Sequence, residues 1–99
     1  MSILPEELSL NSTQVETANG EWLVAVVSVT ETQGNDNLLL DLILEQPVDE
    51  EHFRSRALGL MVPAAVVLDP ETCAQIIDRI RGWIETTEGD GFLDLVQGS

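Results

Sequence analysis

The sequence predicts an α+β domain: an antiparallel β-meander of three to four strands with one C-terminal helix packed on one face. Two apolar, β-branched runs separated by a turn cluster predict the meander, and a proline-initiated amphipathic segment starting near residue 70 predicts the helix. A chain of 99 residues suffices for one core, so residues 1–99 are taken as a single acidic domain, with 1–11 and 97–99 expected to be loose.

Thr13-Gln14-Val15-Glu16-Thr17 alternates in polarity, and the Asn19-Gly20 dipeptide after it favours the positive φ of a hairpin turn. Residues 21–31 hold too many β-branched side chains for a helix and form the most strongly marked strand. Gln33 to Asn37 is a turn cluster, Leu38 to Glu45 is the next strand, and Gln46-Pro47 ends it because proline has no ladder donor. From Val48 to Arg56 the pattern is weak: acids at 49–51 followed by Arg54 suit one or two helical turns or a loop. Gly59 to Leu68 reads as a strand, and Pro63 within it argues for a sheet edge. Asp69-Pro70-Glu71 supplies an N-cap, a proline at the first helical position and an acid in the first turn. Cys73, Ile76, Ile77, Ile80 and Ile84 then form one apolar stripe that stops near Glu88-Gly89. Phe92 to Val96 is expected either to add a short strand or to pack down on the rest.

Eighteen acidic residues face only four basic ones, all arginine, for a formal charge of −14. Such a surface repels nucleic-acid phosphates and anionic headgroups, so neither nucleic acid nor membrane is an expected partner. A hydrophobic fraction of 43% is too high for a disordered acidic tail. No apolar run reaches the roughly 18 residues of a membrane span, and the first residues lack a signal-peptide pattern, which makes a cytoplasmic location the default. The acidity fits solubility, a salty cytosol, or a protein partner with a basic surface.

Chemistry finds little to work with. Cys73 is the only cysteine and His52 the only histidine, so neither a disulfide nor a Cys-x-x-Cys metal site is available, and any nucleophile would depend on His52. No Gly-x-Ser-x-Gly elbow and no His-Glu-x-x-His spacing occurs. Glu88-Gly89-Asp90-Gly91 and Gly34 to Asn37 are oxygen-rich but lack the calcium-loop ladder, and read as turns. Arg79 and Arg81 fall off the isoleucine stripe, where pairing with Asp78, Glu85 or strand carboxylates is expected. No catalytic residue, metal ligand or cofactor is assigned.

The apolar surface carries the functional expectation. In residues 21–31, Leu23, Ala25, Val27 and Val29 alternate with Trp22, Val24 and Val26, so both faces are apolar; Leu38, Leu40, Leu42 and Leu44 alternate with Leu39, Asp41, Ile43 and Glu45. Strands of this kind want cover on both sides. A helix about 10 Å wide cannot hide one face of a sheet whose strands are spaced at about 4.8 Å. The expected protein is therefore a non-enzymatic interaction module, adaptor or chaperone, a homodimer that meets a protein partner with a basic surface through an apolar sheet face rimmed by carboxylates, with Trp22, Val24, Val26, Leu39, Ile43 and Trp83 as interface candidates. In size and charge the chain is similar to small acidic chaperones of secretion systems, a likeness of composition resting on no motif. The alternative is a small regulatory domain holding a metabolite between sheet and helix. A third reading, an enzyme built on His52 and nearby acids, has no positive support.

Overall fold

A computed structural model of the chain describes residues 8, 10–32, 36–63 and 70–96. The elements are β1 (Thr13–Thr17), β2 (Gly20–Glu31), β3 (Asn37–Pro47), β4 (Phe53–Pro63), α1 (Pro70–Thr86) and β5 (Gly91–Asp94). The strands form one five-stranded sheet in the order β1-β2-β3-β4-β5. Its first four strands are an antiparallel meander, and β5 joins parallel to β4. The fold is α+β as expected, but the sheet is mixed and has one strand more than the upper expectation. A parallel neighbour requires a crossover of a dozen or more residues, and the segment containing the 17-residue α1 supplies it.

Two elements depart from the sequence reading. Of the stretch 48–56, expected as helical turns or a loop, residues 53–56 belong to β4; the acids before them form a tight turn, in which the Asp49 side chain accepts from the Glu51 N–H at 2.8 Å and Val48 N–H donates to the His52 carbonyl at 3.0 Å. Nor is β4 an edge, because β5 covers its far side; Pro63 is tolerated as the strand's last residue, opposite Asn37. The expected continuation of this strand to Leu68 and the Asp69 cap lie outside the described residues. In the first hairpin Thr17 pairs with Gly20, so the positive φ of 120° falls on Gly20 alone, where a Cβ would come within 2.6 Å of Gln46 Nε2.

Directly paired residues share a face, so the register sorts the sheet into two sides. The inner side carries Val15, Trp22, Val24, Val26, Leu38, Leu40, Leu42, Leu44, Leu58, Leu60 and Val62, all buried, and Ile76, Ile80, Trp83 and Ile84 of α1 belong to the same core cluster. Leu8 and Leu10, in the stretch expected to be loose, are buried in that cluster too, and Asn11 Oδ1 accepts from the Val26 N–H at 3.0 Å. The β2–β3 register shifts between Val26 and Ser28, so Val27 bulges out at 58% exposure and Val29 moves to the core side, opposite Leu40. The helix is tied to the first hairpin by polar contacts: Arg81, held by Asp78 of the same helix at 2.7 Å, donates to the Glu16 carbonyl at 2.8 Å, and Glu85 accepts from the Ala18 N–H at 2.8 Å. Cys73 is buried.

Candidate functional site

The six interface candidates separate into two groups. Trp22, Val24, Val26 and Trp83 are at most 8% exposed and sit in the chain's own core, which leaves them little surface to offer a protein partner; of the four, only Trp22 borders a hollow. Leu39 and Ile43 lie on the opposite, outer side, half-buried. The cause of the division is visible in β3: its even positions 38–44 are all leucine, whereas its odd positions include Asp41 and Glu45, so the uninterrupted set faces the core.

By register, the outer side brings Leu39 next to Met61 and sets Ala25, Ile43 and Ala57 in one row. Phe92 of β5 lies over Gly59, whose missing Cβ would stand 2.8 Å from the ring. Leu23 is 42% exposed, Phe92 53% and Phe53 66%, so large apolar side chains are wet here in a way the core side does not permit. The carboxylates of this side are Glu16, Glu21, Asp41, Glu45 and Asp94, and no arginine stands on it among the described residues. Glu16 and Glu21 face each other directly, an unfavourable like-charge pair across two strands. Asp41 is held by the Ser28 hydroxyl, which donates to it at 2.6 Å.

At the Phe53 end of this side is a hollow of about 280 Å³ walled by Leu23, Pro47 and Phe53, with Gln14, Glu21, Trp22 and Glu45 also lining it. Apolar walls with carboxylates beside them suit a side chain that is an aliphatic stem ending in a cation. Sequence reasoning missed Phe53 because it began the strand six residues too late; the alternation Phe53, Ser55, Ala57, Gly59, Met61 against Leu58, Leu60, Val62 was the available signal.

The core side ends in a different feature. Arg56 occupies an inner position of β4, opposite Leu44, and is only 9% exposed. Its guanidinium carbon lies 4.2 Å from the Trp83 ring centroid and 5.8 Å from that of Trp22, within cation–π range of both. Its Nε donates to the Gly89 carbonyl at 2.8 Å, Nη1 to the Ile84 carbonyl at 3.3 Å, and Nη2 to the Thr87 carbonyl and hydroxyl at 3.1 Å each. The arginine thus caps the negative end of α1, whose last carbonyls have no helical partners. Beside it opens a cleft of about 470 Å³, lined among others by Asn19, Trp22, Arg54, Arg56, Ile84 and Glu88. The buried Trp22 Nε1–H has no acceptor among the described residues, an omission worth about 1–3 kcal/mol. Arg54 makes no hydrogen bond or ion pair among them either.

His52 is in neither place. Its Nδ1 lies 2.8 Å from Asp49 Oδ1 in the exposed β3–β4 turn. Hydrogen bonds from the Glu51 N–H, then the His52 ring, then the His52 N–H hold the Asp49 carboxyl below its ordinary value. Among the described residues no group of three or more His, Cys, Asp or Glu side chains is placed to hold a metal ion, and no helix is long and apolar enough to cross a membrane. Neither family models, nor curated proteins, nor solved structures give a match to this chain.

Proposed function

We propose that this protein is a non-enzymatic interaction module, an adaptor or chaperone, that seats a basic and partly apolar segment of a protein partner on the outer side of its sheet. The hollow between Leu23, Pro47 and Phe53, with Glu21 and Glu45 lining it, is the observation that carries the reading. A lysine or arginine stem would cover the wet apolar walls while its head met the carboxylates, and neighbouring apolar residues of the segment would lie along Ile43, Ala57 and Leu39. A homodimer through this side is the weaker occupant. Two copies would bring Glu16, Glu21, Asp41, Glu45 and Asp94 against their equivalents with no cation to offset them.

The test is titration with a synthetic amphipathic peptide carrying lysines beside a leucine stripe, at an ionic strength of about 0.15 M, where long-range attraction to the net charge is screened beyond about 8 Å. Glu45→Lys should weaken binding at least about tenfold, whereas Glu71→Lys on the helix, with the same change in charge, should alter it less than about threefold. Equal losses would show attraction to acidity in general and end the proposal. Sedimentation of the protein alone decides the homodimer: a stable dimer that Ile43→Asp dissociates would make a second copy the occupant.

A further inference from the structure

We propose that the cleft at the C-terminal end of α1 is a binding site for a small organic monoanion, a carboxylate carried on a flat apolar body. Of the residues lining it only Trp22 also lines the outer hollow, and Arg54, Arg56 and Glu88 do not, so the site is argued independently of the outer-side reading above. The volume of about 470 Å³ lies in the range of small-ligand sites. In a chain with a formal charge of −14 and four cations, two of the four, Arg54 and Arg56, line this one cleft, and Glu88 is the only carboxylate in its wall.

The donors there are in excess. Arg54 has no acceptor among the described residues, and the Nε1–H of Trp22, a residue that lines the cleft, is buried and has none either. Arg56 has five N–H groups and spends four contacts on the end of the helix, which leaves one. Those same contacts occupy the Ile84 carbonyl in the last turn of α1 and the Thr87 and Gly89 carbonyls just beyond it, so part of the negative potential at the helix end is offset before an anion arrives. A cleft with unspent donors and a capped helix terminus calls for an acceptor, and a carboxylate matches a guanidinium fork. The Trp22 indole and Ile84 give the rest of the ligand an apolar wall. A single charge is preferred to two, because Glu88 and the net charge of the protein both oppose a dianion.

Benzoate and benzamide are suitable probes, sharing a ring and differing in charge. Each is titrated into the 99-residue chain at about 0.15 M salt, and the two indole N–H signals in proton–nitrogen correlation spectra report on Trp22 and Trp83, the two tryptophans of the chain. Benzoate should shift the Trp22 signal saturably at low millimolar concentration or below, with benzamide at least about tenfold weaker. Arg54→Gln, at an exposed position, should weaken benzoate about tenfold with the other signals unmoved, Glu88→Gln should tighten it about threefold, and Arg79→Gln should leave it within about twofold. Absence of a saturable shift with benzoate, equal binding of benzamide, or indifference to Arg54→Gln would each overturn the proposal.

Discussion

The two sides of this sheet are built from the same strands and nearly the same side chains, yet they have opposite fates. On β3, Leu38, Leu40, Leu42 and Leu44 are at most 2% exposed, whereas Leu39 and Ile43, one residue away, remain half-wet. What separates them is the company each set keeps. The even set is joined by Trp22, Val24, Leu58 and Leu60 and by the isoleucines of α1; the odd set shares its side with Asp41 and Glu45 and has a phenylalanine laid over a glycine. Hydrophobicity alone therefore does not choose the buried side of a strand that is apolar on both.

Truncation should break the symmetry most sharply. Leu40→Ala should cost about 2–5 kcal/mol in denaturant unfolding, while Leu39→Ala should cost about 1 kcal/mol or less. Comparable losses would mean that the outer side is covered as well as the inner. Next in size, Arg56→Met should cost of the order of 3 kcal/mol, because the carbonyls of Ile84, Thr87 and Gly89 lose their donors. Arg56→Lys, which keeps the charge without the fork, should recover only part of the loss, read from the same unfolding midpoints.

Two glycines make a finer comparison. A Cβ on Gly91 would lie 2.8 Å from the Trp83 ring, and one on Gly59 would lie 2.8 Å from the Phe92 ring. Trp83 is 8% exposed and has nowhere to go, but Phe92, 53% exposed, can swing into solvent. Gly91→Ala should therefore cost about 2–3 kcal/mol and Gly59→Ala about 1 kcal/mol or less, measured by thermal unfolding. The smallest effect is expected at the exposed β3–β4 turn. Since folding lowers the Asp49 pKa, its carboxylate stabilises the fold fully above the unfolded value of about 3.9, and that contribution fades as pH falls through the lower folded value. Asp49→Asn should thus be slightly less stable than the parent near about pH 6 and indistinguishable from it once the folded carboxyl is protonated, by urea titration at the two pH values.

Much of the fold was legible in the amino-acid pattern, for reasons that also explain the errors. β1, most of β2 and β3, and α1 carry strong local signals: alternation, β-branching and a proline-led amphipathic stripe. The first half of β4 was hidden because its core-side position 56 is an arginine, and a charged residue in an inward register looks like a loop until two tryptophans from elsewhere are known to flank it. The bulge at Val27 reverses the parity of β2, so Val29 cannot be placed by counting from Leu23. Naming Trp22, Val24 and Val26 as the free side failed because neither side of β2 is polar, and the deciding acids lie on β3. Of the outer hollow, Glu45 shares the side of the candidates Leu39 and Ile43, whereas Leu23 is on the side opposite to the Trp22 face that the sequence favours; Pro47 and Phe53 depend on the hairpin that joins β3 to β4.

The parallel seam between β4 and β5 constrains the order of assembly. The antiparallel hairpins form from neighbouring stretches of chain, but Leu58 meets Gly91 only after the intervening helix has folded back. Until then β4 has an unsatisfied ladder along one margin, open to a strand from another molecule. The helix therefore acts on the kinetics of folding as well as on the core: the sooner it docks, the shorter the interval in which nascent molecules can pair with one another.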